Sequence, residues 1–251
     1  MSEYERIGVG YAGRRRADRR LARAIADALD GATSVLNVGA GAGSYEPPGP
    51  ATVAVEPAAT MIAQRPPGTA PCMRARAEAL PFGDRTFDGT LAVLTIHHWS
   101  DWQAGLRELA RVARRKVVLF TWDPDSDGFW LRDYLPEMLA ADRRRFPRLD
   151  DLRAALGELR VQRVPIPHDC TDGFLGAYWR RPEAYLDPSI RQGISSLARD
   201  EFAAAIARLG ADLSSGAWAR AYGHVLETAE LDIGYCLVSA QVRPRQAEAS
   251  R

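Results

Sequence analysis

Val35-Leu-Asn-Val-Gly-Ala-Gly-Ala-Gly-Ser-Tyr45 is the stretch whose reading decides the fold. Residues 35–38 are apolar and β-prone, and Gly39, Gly41 and Gly43 then fall on every second position. A second apolar run, Thr52 to Val55, ends in Glu56-Pro57. A buried strand, a glycine turn and a second strand tipped by an acid make a nucleotide-binding unit of the βαβ type. Without Cβ atoms the backbone reaches positive φ and lets a ligand come close. A carboxylate at the second strand tip can accept hydrogen bonds from both hydroxyls of a ribose. No Gly-Lys-Ser/Thr follows, which excludes a P-loop, and Ser44 stands where a dinucleotide fingerprint puts its third glycine.

Outward from this unit the elements alternate. Cys72 to Ala75 reads as a third strand after a short helix at Ala58 to Gln64, and Gly89 to Ile96 as a central one. That run is apolar almost throughout, as a strand covered on both faces should be. It ends in His97-His98-Trp99. A helix over Asp101 to Val112 leads to a fifth strand, Lys116 to Thr121, tipped by Trp122-Asp123-Pro124. Five strands alternating with helices predict an α/β, doubly wound, mostly parallel sheet. Pro47, Pro48 and Pro50 leave the helix between the first two strands very short or missing.

The glycine spacing, Glu56, and Arg76-Ala-Glu-Ala-Leu-Pro-Phe82 followed by Phe87-Asp88 together resemble the class I S-adenosylmethionine-dependent methyltransferases, type 11 group. The resemblance covers about Tyr11 to Pro124. It implies a Rossmann-like sheet of seven strands and S-adenosylmethionine as cofactor. It places Gly39, Ala40, Gly41, Glu56, Pro57, Met61, Ala77, Glu78 and Leu94 at the cofactor, with Tyr11 and Arg20 at its methionine end. Two positions depart from the pattern: Asn37 and Arg76 stand where the group carries acids. These departures leave room for a protein that binds the cofactor without transferring methyl, or that has lost it. A nicotinamide-dependent oxidoreductase is the rival enzyme class, disfavoured by the missing third glycine.

The flanks are read from patterns alone. Met1 to Gly13 is expected to be an arm, and Arg14 to Leu29 a helix with Leu21, Ile25 and Leu29 on its apolar stripe. Helices are expected over Phe129 to Phe146, interrupted at Pro136, and over Leu149 to Leu159. A sixth strand at Arg160 to Ile166 and a seventh at Leu231 to Val242 enclose a long helical stretch. The division expected is 1–30, arm and helix over the cofactor; 31–170, cofactor-binding core; 171–229, a helical lid inserted between the last two strands; 230–251, final strand and tail.

Methyl transfer from a sulfonium needs alignment, with a base where the nucleophile must lose a proton. His97 and His98 are the leading bases, because imidazole titrates near neutrality and they stand at a strand's C-terminal end. Adjacent residues leaving a strand point opposite ways, so one of the two is expected to face substrate. His168, with Asp169 as orienting carboxylate, is the next candidate, and Tyr178-Trp-Arg-Arg181 a possible clamp for an aromatic or anionic substrate. No cluster has recognised metal-ligand spacing.

The 251 residues carry a net charge of +1, which gives no electrostatic footprint for nucleic acid or membrane. A small-molecule acceptor is expected. Three well-separated cysteines suggest free thiols in a reducing compartment, and the charged N-terminal stretch has no signal-peptide core, so a bacterial cytoplasmic protein is expected. Oligomeric state and the atom methylated are not written in the sequence.

Overall fold

The computed structural model describes residues 10–198 and 200–242. A seven-stranded sheet forms its centre, built from β1 (Ser34–Val38), β2 (Ala51–Val55), β3 (Cys72–Met73), β4 (Phe87–Val93), β5 (Ala113–Trp122), β6 (Leu159–Arg163) and β9 (Tyr235–Gln241). Its order is β3-β2-β1-β4-β5-β9-β6, and only β9 runs antiparallel to its neighbours. The chain therefore winds outward from β1 in both directions, and β1 and β4 meet at the point where the winding reverses. Ligands of open α/β sheets bind at the C-terminal ends of strands at such a point.

The apolar runs account for this arrangement. β1, β4 and β5 are buried along most of their length because helices cover both faces. On one face α4 (Trp102–Val112) presents Leu106, Leu109 and Val112, and α7 (Leu149–Leu156) presents Leu152. On the other, α2 (Arg19–Ala28) presents Leu21 and Ile25.

Several boundaries depart from the sequence expectation. The N-terminal helix is two pieces, α1 (Tyr11–Arg14) and α2, because Asp18 caps α2 by accepting from the Arg20 amide at 2.9 Å. Expectations for residues 1–9 and 243–251 lie outside the described residues. No helix joins β1 to β2, as the prolines foretold, and the short α3 (Ala59–Ile62) follows β2. Pro136 starts α6 (Pro136–Arg145) after the short α5 (Leu131–Tyr134), occupying the first turn where its missing N–H costs nothing.

The sixth strand ends early, since Pro165 and Pro167 cannot donate to a ladder. Ile166–Pro167 (β7) instead pairs with Glu230–Leu231 (β8) in a separate two-stranded ribbon. Between them lie short helices, including α8 (Pro188–Arg191), α9 (Ala203–Ser214) and α10 (Ala217–Tyr222). They share one apolar core with α2 and the α5–α6 segment through Trp130, Trp179, Tyr185, Leu209 and Trp218.

Candidate active site

At the C-terminal edge of β1 and β2 the chain forms a cleft of about 2,020 Å³, open to solvent. The glycine turn is its floor. Gly39, Gly41 and Gly43 have φ of 70°, 53° and 90°, values that side chains disfavour. A Cβ on Gly39 would lie 2.1 Å from Thr95 Oγ1, and one on Gly41 3.2 Å from Met61 Cε. The amides of Gly39 and Ala40 donate to the Val55 carbonyl, at 2.8 and 3.0 Å. The turn is thereby folded over the tip of β2, and it offers a ligand a surface without side chains.

Glu56 is 5 % exposed at that tip. Its carboxylate accepts from Gly41 N through Oε2 and from Ala58 N through Oε1, each at 2.9 Å. Two amides therefore orient it. Arg65 supports the turn from behind, donating to the Gly41 carbonyl at 3.3 Å while paired with Glu46. Asn37 stands on β1 beside Glu56; its Oδ1 is buried and accepts no hydrogen bond from a described residue.

Pro57, Met61, Ala77 and Glu78 complete the wall. Ser100 donates to Glu78 through amide and hydroxyl, at 2.8 and 2.7 Å. Burial would raise this carboxyl, but the hydrogen bonds from Ser100 and Asp101 outweigh it and keep it below its ordinary value. Arg76, the second departure, donates to Ser100 Oγ at 2.8 Å on the same rim.

A second pocket, about 780 Å³ when the space open to solvent is counted, adjoins this cleft. Arg15, Leu94, His97 and His98 line both. Leu94 holds φ at 47° without being glycine, while its amide donates to the Phe120 carbonyl at 2.8 Å. Such strain in a non-glycine residue gathers where geometry serves a ligand. The other walls are largely apolar: Trp122, Phe129, Met138, Phe146, Phe174 and Tyr235 among them.

Both histidines face this junction, which corrects the expectation that only one would. The chain leaves β4 through a 3₁₀ turn, Ile96–His98, and not as continuing strand, so alternation stops at Val93. The rings lie 3.9 Å apart between centroids, and His97 stacks on Phe146 at 3.9 Å. Arg145 Nη2 lies 3.2 Å from His98 Nδ1. Arginine has no acceptor, so His98 Nδ1 must accept and its proton sits on Nε2. His97 makes no hydrogen bond among the described residues, and its Nδ1 is buried. Desolvation, then the charges of Arg145 and Arg15, push His98 down to about 3. Desolvation and the neighbouring cations also hold His97 well below its ordinary value. Both rings are neutral at physiological pH.

Three other sequence expectations are corrected. Arg20 does not line the cleft; it is tied to Asp18 and Asp169, each at 2.7 Å. Arg15 stands there in its place, with Tyr11 bonded to it at 2.6 Å. His168 lines neither cavity, and Asp169, its expected orienting carboxylate, is taken by Arg20. Trp179 is fully buried, donating to the Ile166 carbonyl at 2.8 Å, and Arg181 donates to the Cys170 and Ala177 carbonyls, both at 2.8 Å. That run is structural.

Sequence reasoning missed Asp142, Arg145 and Phe146, which lie on or beside α6 and reach the junction only through tertiary packing. It missed the grip of Arg15 on Asp172 for the same reason. The three cysteines are free, and no cluster of metal-capable side chains occurs among the described residues. No helix among them is long and apolar enough to cross a membrane.

Comparison with known proteins decides the family. The type 11 model described as a methyltransferase domain matches residues 36–121. A crystal structure from Anabaena variabilis, described as a methyltransferase from an antibiotic biosynthesis pathway, is 34 % identical with a TM-score of 0.83. The match covers 90 % of this chain and 98 % of that one. The chain belongs to the class I S-adenosylmethionine-dependent methyltransferases. The chain also shares its fold with the YcgJ protein of Bacillus subtilis, at 17 % identity and a TM-score of 0.56, over 90 % of this chain and all of that one. A Mycobacterium tuberculosis protein of uncharacterised function is 30 % identical over 132 residues, 44 % of this chain and 47 % of that protein. The chain thus spans about half the length of the curated relatives it matches.

The residues of the cleft fit the family's cofactor, S-adenosylmethionine. A fixed carboxylate suits a ribose diol, a cradle without Cβ atoms suits close approach, and the orphan Asn37 Oδ1 suits an ammonium group.

Proposed function

We propose that this protein transfers a methyl group to a small, largely apolar acceptor held in the second pocket. One observation carries the reading: two cavities of different chemistry meet at a shared wall of Arg15, Leu94, His97 and His98. The polar cleft suits the cofactor and the aromatic cavity suits the acceptor.

S-adenosylmethionine supplies a methyl already activated by the sulfonium charge. Glu56 would hold the ribose hydroxyls, Asn37 the ammonium, and Gly39, Ala40 and Gly41 the close backbone approach. Pro57, Met61, Ala77 and Glu78 line the remaining wall. Leu94 keeps the wall between the two ligands thin. Alignment of this kind can lower a barrier by about 7–11 kcal/mol.

His97 is the base in this reading. His98 already spends its acceptor nitrogen on Arg145, whereas His97 is neutral and bonded to nothing described. Its unprotonated ring can take a proton from a hydroxyl or amine at the junction, a contribution of roughly 10²–10⁴-fold for a matched base, set towards the lower end by its reduced basicity. Residues from the segment between β6 and β9, Phe174, Leu175, Ile194 and Ser196 among them, close the cavity from above and act as its lid.

The test is calorimetric titration with S-adenosylmethionine, S-adenosylhomocysteine and NADH in parallel. Incubation with methyl-labelled S-adenosylmethionine and a panel of small aromatic alcohols and amines follows. Binding of the first two nucleotides alone, with label appearing in a panel member, is the expected result. Binding without transfer to any acceptor would overturn methyl transfer and leave a cofactor-binding protein.

A further inference from the structure

The acceptor cavity contains one acid. Asp142, on α6, is 5 % exposed and is the only carboxylate among the described residues that line it. Its Oδ2 accepts from Ser196 Oγ at 2.6 Å. Its Oδ1 has no such partner among the described residues; Arg145 Nη1 stands 3.9 Å away, too far for a hydrogen bond. A carboxylate has about four lone-pair sites, and removing it from water leaves each empty one costly. Desolvation accordingly raises the Asp142 carboxyl against the opposing effects of Ser196 and Arg145. Around it the cavity is apolar, with Met138, Leu139, Phe146 and Ile194 as walls.

The sign of the surrounding charge narrows the ligand. Arg15 and Arg132 also line the cavity, and Arg145 lies beside it. A cationic acceptor would meet three guanidinium groups and one acid. A neutral molecule would meet a largely apolar box in which His97, at the junction, and Asp142, at the α6 wall, are the underfilled acceptors.

Resting on the reading of this cavity as the acceptor site, we propose that Asp142 is its specificity-determining residue, selecting a neutral ring compound whose hydroxyl donates to the Asp142 carboxylate. Ser196 is the positioning residue that fixes the carboxylate's plane. The acceptor class is therefore a hydroxylated aromatic or polycyclic compound, and neither a bare hydrocarbon nor an amine.

The experiment uses three probes of one shape, 2-naphthol, 2-methoxynaphthalene and 2-(aminomethyl)naphthalene, titrated into the full chain with saturating S-adenosylhomocysteine. The naphthol is expected to bind about tenfold tighter than the methyl ether, the worth of one hydrogen bond to a charged group. Asp142→Leu should bring the two within about twofold while leaving S-adenosylhomocysteine affinity unchanged. Asp142→Asn keeps an acceptor oxygen and should keep most of the preference, which separates recognition from damage to α6. Equal affinity of the wild type for naphthol and ether overturns the proposal, as does no probe binding or a preference that survives Asp142→Leu. Tightest binding of the amine overturns the neutral-donor assignment. Failure of the wild type to bind S-adenosylhomocysteine at all overturns the underlying methyltransferase reading instead.

Discussion

Arg15 grips Asp172 with one edge of its guanidinium, donating from Nε to Oδ1 at 2.6 Å and from Nη2 to Oδ2 at 3.0 Å, across 157 residues of chain. The Asp172 side chain is fully buried, and Tyr45 adds a hydrogen bond to it at 2.9 Å. This pair fastens the segment before α2 to the segment after β7, over the junction of the two cavities.

Arg15→Met should therefore unfold at lower denaturant, with a loss of about 3–5 kcal/mol, because it strands a buried carboxylate. Arg15→Met with Asp172→Leu should recover much of that loss. Chemical denaturation of the four proteins in the cycle checks it, and a double variant no better than Arg15→Met would assign the stability elsewhere.

Glu56→Ala should weaken S-adenosylhomocysteine at least about tenfold, as loss of a charged acceptor for the ribose hydroxyls requires. It also frees the Gly41 and Ala58 amides that the carboxylate now holds. Calorimetry reads the affinity; an unchanged constant would remove Glu56 from the site.

Gly39→Ala should both destabilise the fold, by about 1–3 kcal/mol, and impair the cofactor cleft. The new methyl would overlap Thr95, and φ of 70° is poor for alanine. Gly49, with φ of 104° and nothing near its Cβ position, serves as control. Alanine there meets backbone strain alone, so it should leave S-adenosylhomocysteine affinity intact.

His97→Ala should cost roughly 10²–10⁴-fold in turnover on an accepted substrate while cofactor affinity holds. His98→Ala should cost less, because Arg145 occupies its acceptor nitrogen. Initial rates with labelled cofactor separate them, and equal losses would mean that the pair acts as one unit.

Stability should fall on acidification below about pH 6.5, the ordinary histidine value. Both rings are held neutral in the folded chain, so the unfolded chain binds protons there first. Stability attributable to His98 is complete above its unfolded value and drains away down to its folded value of about 3. The slope is about 1.4 kcal/mol per pH unit for each ring that stays neutral. Urea midpoints from pH 7 to pH 5 should show it, and His98→Asn should flatten it.

Local signals carried the sheet and the cofactor cleft. The glycines, the buried runs of β1 and β4, and Glu56 at the tip of β2 are contiguous. Their periodicity and steric demands are properties of a few neighbouring residues. The proline-rich connection likewise announced a missing helix. The histidines were legible as polar residues at a strand end, but their shared orientation was not, because a 3₁₀ turn replaced the strand. Arg20 and Arg15 are equivalent in pattern, and only the positions of Asp18, Asp169 and Asp172 decide which one enters the site. Asp142 and Phe146 join the acceptor cavity, and Arg145 the cofactor cleft, because the C-terminal end of α6 meets His97, His98 and Trp122 beyond the ends of β4 and β5, long-range packing that leaves no trace at residues 142–146 themselves. Sequence alone determined which nucleotide this protein is built to hold. Tertiary structure decided what faces it, because that wall is assembled from segments more than a hundred residues apart.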